Sequence, residues 1–370
     1  MRVKQVSKIQ AGAIATINLD ALAENYLLLK RNAEKAETAG VVKADAYGMG
    51  INRVAPVLWD CGCKVFFTAH VSEGVFLRKL LPSAEIHILN GLLPGGAELY
   101  QDYNLIPVLG SLDEIARWRA FCAAKPLPCD IHVDTGMRRL GLPPDELQIL
   151  AKDKKHLAGM DIRLVLSHFA SADEEKNAQN KEQRIAFESA RHILPMGKTS
   201  FANSAGIFLG KHYRGDVVRP GIALYGCNPT PWLQNPMLQV LSLHARVLQV
   251  RNASAGETVS YGGTYTVEKP TRIATVSLGY ADGYLRSITG SGHGYLDGQP
   301  LTIIGRITMD LIMLDATNIK PEDCRPGDWV EFIGSNISVD SVAARARTIS
   351  HEILTNLGSR YHRRYIRKKF

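Results

Sequence analysis

Cysteine is scarce in this 370-residue sequence, and its six cysteines form no recognisable motif. No two are spaced as Cys-X-X-Cys, and no cysteine and histidine cluster has the spacing of metal ligands. We therefore expect no metal site, and we interpret the thiols as reduced cysteines of a cytoplasmic protein. They are Cys61, Cys63, Cys122, Cys129, Cys227 and Cys324.

Long apolar runs are lacking as well. No stretch approaches the roughly 18 apolar residues that a membrane-spanning helix needs, and Met1–Lys8 has no apolar centre of the kind found in secretion signals. These absences argue against membrane insertion and against secretion.

Acidic residues are also comparatively few. The sequence has 36 of them against 44 basic residues, which gives a formal charge of +8. Most of this imbalance is local, because the last eleven positions hold six basic residues and no acidic one, and no basic stretch interleaved with aromatic residues occurs elsewhere. A basic tail could bind nucleic acid or an anionic membrane, but we interpret this one as a solvated terminus and expect neither partner.

The glycine-rich turn of a dinucleotide-binding sheet is not found after the first strand-like segment. The sequence instead contains eight short apolar segments, most of them separated by helical patterns such as Leu112–Lys125 and Glu174–Ile193. Eight such units predict a (β/α)8 barrel of the TIM type, with a doubly wound open sheet as the alternative. The predicted strands are Val41–Lys43, Val65–Ala69, Ile86–Leu89, Leu105–Val108, Ile131–Val133, Leu164–His168, Thr199–Ala202 and Val217–Arg219.

A proline-rich stretch, Asn228–Trp232, separates this region from one with a different pattern. The later segments are short and strand-like, and glycine and proline turns lie between them. We predict an α/β protein with a barrel over residues 20–236 and a C-terminal, mostly β domain over residues 237–370. The early strand Ala13–Asn18 would be a ninth in the barrel, so residues 1–19 are assigned to the β domain.

One stretch carries most of the chemical information: Val41-Val42-Lys43-Ala44-Asp45-Ala46-Tyr47-Gly48-Met49-Gly50. In it, a lone lysine ends a short apolar run. A desolvated lysine amine loses pKa readily and suits Schiff-base formation with a carbonyl cofactor. The alternative is a lysine that extends its ammonium group from a strand end into water.

Other polar residues follow the predicted strands at their carboxyl ends, which form the active-site face of such barrels. Asp134–Gly141 follows the fifth strand, His168 ends the sixth, Asn203–Gly206 follows the seventh and opens a helix, and Arg219 ends the eighth. Taken singly, these are also explained by a core histidine, a helix cap and a surface cation. Their joint placement with Lys43 predicts an active site that holds a phosphate at the start of that helix.

The Lys43 stretch closely resembles the pyridoxal-phosphate signature of the alanine racemase family, and the resemblance covers nearly the whole chain. It implies a pyridoxal 5'-phosphate-dependent isomerase in which Lys43 holds the cofactor. It also implies that Arg219 is the partner of the pyridine nitrogen and that His168 orients Arg219. A permanently charged guanidinium would keep the ring a weak electron sink. The phosphate contacts implied by the resemblance are Tyr47, Ser204, Gly221, Ile222 and, near the C-terminus, Tyr361.

Racemisation needs proton-transfer groups on both faces of a planar carbanion, and Lys43 supplies only one. Val259–Thr266 is similar to the family segment that contains the second base, which implies Tyr261. In the family the two bases come from different subunits, so the resemblance implies a homodimer with shared active sites. The implied mechanism interconverts L-alanine and D-alanine on the external aldimine, between Lys43 and Tyr261 of the partner subunit.

The resemblance also implies a set of substrate contacts. Arg139 is placed near the cofactor's phenolic oxygen and the substrate carboxylate, and Met309 contacts that carboxylate through its backbone N–H. Asp310 belongs to the same wall, and Tyr280 lies at the entrance. Many family members carry a carbamylated lysine that holds the arginine, whereas this sequence has His132 at that position.

Three other functions are weighed against this one. A racemase of broader amino-acid specificity would share every residue named above. A decarboxylase or aldolase of related fold favours a stronger electron sink than Arg219 allows. A cofactor-carrying binding protein would be a single domain, without the residues after Met237. Supply of D-alanine as a peptidoglycan precursor and breakdown of alanine would use the same site, so the sequence does not distinguish them.

Overall fold

The computed structural model describes residues 10–368, and the chain divides into two compact units. One consists of residues 22–238, and the other of residues 10–21 together with 239–368. Every helix between residues 10 and 368 is too short or too polar to cross a membrane. The first part of the predicted segment 1–19 lies outside the described residues.

The first unit contains a ring of short parallel strands. The strands β2 (Glu37–Thr38) and β3 (Gly40–Val41) are two parts of one segment, separated by Ala39. β2 pairs with the last strand of the sheet, and β3 pairs with the next strand along the chain. This segment therefore closes the ring. The others are β4 (Val65–Thr68), β5 (Glu85–Ile88), β6 (Ile106–Leu109), β7 (Pro128–His132), β8 (Asp161–Leu166), β9 (Lys198–Ser200) and β10 (Val217–Val218).

Helices lie between most of these strands, and the predicted (β/α)8 barrel is confirmed. The helix before the barrel begins at Leu19, and its cap is Asn18, whose Oδ1 accepts the N–H groups of Asp20 and Ala21 at 3.1 Å. The helices are α1 (Leu19–Ala33), α2 (Lys43–Tyr47), α3 (Ile51–Asp60), α4 (Val71–Leu80), α5 (Ala97–Asp102), α6 (Leu112–Phe121), α7 (Pro144–Lys152) and α8 (Ala178–Ile193).

The barrel strands are apolar because they are buried on both faces, but two of them carry buried charges. His87 of β5 and Asp130 of β7 are fully buried, with 2.6 Å between Nδ1 and Oδ2. The other ring nitrogen of His87 lies 3.0 Å from Glu85. Burial alone would lower the pKa of His87, but the two carboxylates raise it to about 9. Burial raises the pKa of Asp130 while His87 lowers it, so each group of this buried pair stabilises the charged form of the other.

The second unit is mostly β, as predicted. Its sheet is built on β11 (Leu241–Ala253), which pairs antiparallel with β1 (Ala13–Asn18). A separate hairpin consists of β12 (Thr258–Val259) and β13 (Tyr265–Thr266). The other elements are β14 (Thr271–Val276), β15 (His293–Leu296), β16 (Gln299–Thr302), β17 (Ile312–Asp315), β18 (Trp329–Ile333), α9 (Val339–Ala346), α10 (Ser350–Thr355) and β19 (His362–Ile366).

The basic C-terminus is an edge strand rather than a solvated tail. β19 runs parallel to β1, with Ala15 opposite Arg363 and Thr16 opposite Arg364. Charged side chains are a common protection for exposed sheet edges, which explains why a basic segment is compatible with a strand. Lys369 lies outside the described residues.

Candidate active site

Lys43 lies at the carboxyl end of β3 and begins a turn of left-handed backbone. The next four residues, 44–47, have φ angles between 53° and 55°. Left-handed helical geometry costs roughly 1–2 kcal/mol for each non-glycine residue, so the turn needs support from its surroundings. Part of that support is local, since Gly48 N–H donates to Ala44 O at 2.8 Å and Ala46 N–H donates to Val42 O at 2.9 Å.

The amine of Lys43 is half-buried and lies among other cations. Burial lowers the pKa of Lys43, Arg139 and Arg219 lower it further, and Glu73 acts in the opposite direction. A lowered pKa raises the fraction of neutral amine at a given pH, and the neutral amine is the form that attacks a carbonyl carbon.

The left-handed turn places the side chain of Tyr47 against the segment that follows β10, the last strand of the barrel. Its ring stacks on Tyr225 with 4.7 Å between centroids. A methyl group added to Gly221 would lie 2.3 Å from the Tyr47 hydroxyl oxygen, so a glycine is needed at that position. Burial raises the pKa of Tyr47, which keeps its hydroxyl protonated at neutral pH.

The loops after β9 and β10 meet at Ser204, whose hydroxyl oxygen accepts Gly221 N–H at 2.9 Å and Ala223 N–H at 3.3 Å. The backbone N–H groups of Ser204, Ala205 and Ile222 have no acceptor among residues 10–368. Buried N–H groups are rarely left without an acceptor. This cradle therefore fits a phosphate.

The helix predicted after Asn203 is wrong, because residues 204–209 form a series of turns. Asn203 Oδ1 accepts the N–H of Gly206 at 2.9 Å and closes the first of them. The side chain thereby takes the N–H that would begin a helix, as asparagine commonly does in turns. The N–H groups that face the predicted phosphate position consequently come from turns.

Arg219 is buried to 4% exposure and contacts no carboxylate of residues 10–368. Its Nη1 donates to Ser200 Oγ at 2.5 Å, and its Nη2 donates to Ser167 O at 2.5 Å and lies 3.4 Å from His168 Nδ1. Its Nε–H and second Nη1 proton have no acceptor within the described chain. Burial lowers the pKa of Arg219 to about 10, so the guanidinium stays charged at neutral pH.

Two histidines beside these cations are neutral at physiological pH. Burial lowers the pKa of His132 to about 4, with Arg219 and Arg139 acting in the same direction and Asp134 against them. Burial and Arg219 also hold the pKa of His168 well below its usual range. His132 therefore does not supply the negative charge that a carbamylated lysine has.

The lowered pKa of His132 predicts a pH-dependent stability. Between about pH 6.5 and about pH 4 the unfolded chain binds this proton and the folded chain does not, so the free energy of unfolding falls on acidification. The expected contribution is up to about 1.4 kcal/mol per pH unit. Urea unfolding across this window should give a shallower slope for His132→Asn than for wild type. His212→Asn, a change at an exposed histidine, should leave the slope unchanged, and an unchanged slope in His132→Asn would contradict the prediction.

Arg139 extends from a closed loop after β7. Asp134 Oδ1 accepts three successive N–H groups, those of Gly136, Met137 and Arg138, at 2.9 to 3.1 Å. The Arg139 side chain is exposed and makes no hydrogen bond or ion pair with any described residue. Its charge nevertheless acts on Lys43.

Tyr261 belongs to the second unit and lies at the tip of the β12–β13 hairpin. It is 73% exposed, so its ring is not packed into the core of this unit. The hairpin tip is fixed by Ser260, whose Oγ donates to Arg306 O at 2.6 Å. The base of the hairpin packs on a small apolar cluster that includes Ile273 and Ile304.

The predicted entrance residue Tyr280 lies close to the two predicted substrate-wall residues of the second unit, Met309 and Asp310. Tyr280 N–H donates to Thr308 O at 3.1 Å, and Tyr280 and Met309 are both exposed. The backbone N–H of Met309 has no acceptor in the part of the chain that the structure describes. Arg360 donates to Asp310 at 2.7 Å and also binds Asp282, so the wall is joined to the C-terminal segment. These contacts leave the predicted carboxylate-binding N–H of Met309 available.

Tyr361 is 5% exposed within the second unit, and its hydroxyl has no hydrogen-bond partner among residues 10–368. Burial raises the pKa of Tyr361, and Asp282 and Tyr284 act in the same direction. Its assignment to the cofactor phosphate stays a prediction.

Several residues of the site were not predicted from the sequence. Ser167 and Ser200 bind Arg219, and Gln183 donates to the His168 carbonyl at 2.9 Å. Nothing in the sequence distinguishes these residues from ordinary strand and helix residues. Glu73 stands three residues after the helix cap, as the glutamate of a capping box does, but the cap is His70 and not the usual serine or threonine, so the sequence signal is incomplete.

Comparison with protein families agrees with this geometry. The family model "Alanine racemase, N-terminal domain" matches residues 17–229, and "Alanine racemase, C-terminal domain" matches residues 240–365. The chain belongs to the alanine racemase family. The predicted resemblance and the predicted racemase activity are confirmed, and the broader-specificity alternative is not favoured.

Individual alanine racemases resemble the chain over nearly its whole length. An alanine racemase of Methylobacterium nodulans is 48% identical over 96% of this chain and 96% of its own. A catabolic alanine racemase of Mesorhizobium japonicum is 45% identical over 98% of this chain and 95% of its own. The crystal structure of the Bartonella henselae alanine racemase, which has covalently bound pyridoxal phosphate, matches with a TM-score of 0.93 and 41% identity over 96% of this chain and 100% of that one.

Proposed function

We propose that the chain racemises alanine with pyridoxal phosphate attached to Lys43, and that a homodimer completes each active site. The observation that carries the proposal is the arrangement at one end of the barrel. Lys43, buried Arg219 and the N–H cradle around Ser204 follow neighbouring strands β3, β10 and β9. Together they offer an amine, a cation with unused N–H groups, and donors for a phosphate.

These residues fit the cofactor chemically. Pyridoxal phosphate, when bound, supplies an electron-withdrawing ring that stabilises a carbanion at the alanine α-carbon. Ser204, Ala205 and Ile222 would hold its phosphate through backbone N–H groups, with the Tyr47 hydroxyl beside Gly221. The unused N–H groups of Arg219 would face the pyridine nitrogen.

Besides binding the cofactor, Arg219 would limit side reactions. With a pKa of about 10, it keeps its protons at neutral pH, so it would donate a hydrogen bond to the ring nitrogen of the bound cofactor and would not give up a proton there. An unprotonated ring withdraws electrons less strongly, which disfavours protonation at positions other than the α-carbon. The contacts with Ser200 and Ser167 fix the guanidinium for this role.

The two protons are handled by Lys43 and Tyr261. Lys43 Nζ takes or returns the α-proton on one face, and the lowered pKa of the amine leaves a larger fraction of it neutral and able to take up a proton. Tyr261 of the partner subunit acts on the other face. Its 73% exposure supports a site completed by a second copy, because a catalytic tyrosine needs shielding from bulk water. Arg139 and the Met309 N–H would bind the substrate carboxylate.

The cytoplasmic location expected from the cysteines also stays a prediction. None of the six forms a disulfide, and five of them are buried. Reduced thiols are typical of that compartment.

The proposed function is tested by following L-alanine and D-alanine separately by circular dichroism. Both should approach the same racemic mixture, because enantiomers have equal free energy in water. L-serine and L-lysine should react much more slowly than alanine. Borohydride reduction of the loaded enzyme should add a pyridoxyl group to the peptide that contains Lys43. Modification of a different lysine, or no conversion of alanine, would contradict the proposal.

A further inference from the structure

The side chain of Glu73 joins the turn after Lys43 to the start of helix α4. Its Oε1 accepts the N–H of Ala44 at 2.6 Å, and its Oε2 accepts the N–H groups of Ala69 at 2.8 Å and His70 at 3.0 Å. Hydrogen bonds to a carboxylate are stronger than those between neutral groups. Glu73 therefore connects the loops that follow two neighbouring strands, β3 and β4.

The bond from Ala44 matters because this residue begins the left-handed turn. Ala44 has φ of 53° and is exposed, so no packed side chain holds it in that conformation. Asp45 supports the far end of the turn, where its Oδ1 accepts Ile51 N–H at 2.7 Å. At the near end, directly after Lys43, the side chain that binds the turn is that of Glu73.

Carboxylates of this kind recur around the barrel. Glu114, in the first turn of α6, accepts the N–H groups of Leu92 at 2.8 Å and Gly110 at 2.6 Å. Glu146, in the first turn of α7, accepts the N–H of Leu112 at 2.7 Å. Each joins a helix start to an earlier loop. Glu73 differs from the other two because the loop that it binds contains the reactive lysine.

More positive than negative charges act on Lys43. Arg139, Arg219 and His168 interact with it from the loops after β7, β10 and β8, and Arg139 and Arg219 are cations. Glu73 is the carboxylate that acts on it from the side of α4, and it raises the pKa of Lys43 against the effect of burial.

We propose that Glu73 is the positioning residue of Lys43: its carboxylate holds the left-handed turn from which the amine projects and supplies negative charge opposite Arg139 and Arg219. The inference rests on the proposed function, in which Lys43 binds the cofactor. The amine must be neutral to attack the cofactor and must also accept a proton during racemisation. A carboxylate that offsets part of the cationic field serves the second requirement.

The test uses three variants of the full chain. Glu73→Gln removes the charge and leaves one acceptor oxygen, and Glu73→Asp keeps the charge but shortens the reach to Ala44. Glu114→Gln is the matched control, because Glu114 also accepts two backbone N–H groups at a helix start but binds the loops after β5 and β6 instead of the turn after Lys43. Two readouts do not depend on the cofactor: the titration midpoint of Lys43, by NMR of the ¹³C-methylated chain, and the exchange rate of the Ala44 amide hydrogen.

In Glu73→Gln the Lys43 midpoint should move to lower pH, because loss of the carboxylate destabilises the ammonium form. Glu73→Asp should keep a midpoint close to wild type and exchange the Ala44 hydrogen roughly tenfold faster, since the bond that protects it is lost. Glu114→Gln should change neither readout. Racemisation should slow by about tenfold in both Glu73 variants.

An unchanged midpoint in Glu73→Gln, or an equal shift in Glu114→Gln, would overturn the inference. Failure of the proposed function is a different result. In that case wild type would form no borohydride-reducible adduct at Lys43, while the titration and exchange measurements would still report on Glu73.

Discussion

Lys43→Ala is expected to lose racemisation by at least about 10⁴-fold. The variant lacks both the amine that binds the cofactor and the proton-transfer group on one face. The loss should appear in the initial rates from L-alanine and from D-alanine alike, measured by circular dichroism at saturating pyridoxal phosphate. Added methylamine should restore a small part of the rate, because a free amine can enter the space left by the side chain.

The matched control is Lys79→Ala, which removes an exposed lysine from helix α4. It should keep wild-type activity and the same adduct at Lys43. Substantial racemisation by Lys43→Ala without added amine would contradict the assignment and return Lys43 to the alternative of a solvated strand-end lysine.

Tyr261→Phe is expected to slow racemisation by about 10³-fold while the two enantiomers respond differently. Proton exchange at the α-carbon in heavy water should be lost from L-alanine, because Tyr261 removes that proton. Exchange from D-alanine should be retained in part, because Lys43 acts on that face. Deuterium incorporation, followed by NMR for each enantiomer, measures this asymmetry.

Tyr265→Phe is the control for this experiment, since Tyr265 lies on the same hairpin and is more buried. It should exchange both enantiomers at the wild-type rate. If Tyr261→Phe also exchanges both like wild type, Tyr261 is a structural residue and the second base must be sought elsewhere.

The barrel could be predicted because its strands are short apolar runs that are buried on both faces. The strand β4, for example, has four buried residues in succession. A search for short apolar runs does not find β19, because this edge strand of the second sheet is basic and half-exposed. The ion pair of His87 and Asp130 was also missed, since a buried charge is stable only through a partner from another strand.

The candidate site was predicted mainly from the types of residue found at the ends of predicted strands, and these can be read from short stretches of sequence. The left-handed turn at residues 44–47 was not, because it is maintained by groups distant in sequence, including Glu73. The turns after Asn203 were predicted as a helix, since capping residues favour both structures and the choice depends on the surrounding loops. The lowered pKa of His132 likewise depends on burial and on distant cations.

The central claim, that Lys43 and Tyr261 act together from different subunits, is tested most directly by mixing two inactive variants. Lys43→Ala and Tyr261→Phe are purified separately, allowed to exchange subunits, and assayed for racemisation of L-alanine. A mixed dimer with shared sites contains one complete site, so the mixture should recover about a quarter of wild-type activity. If each site used its own subunit's tyrosine, every site in the mixture would be defective, and no recovery of activity would contradict the account.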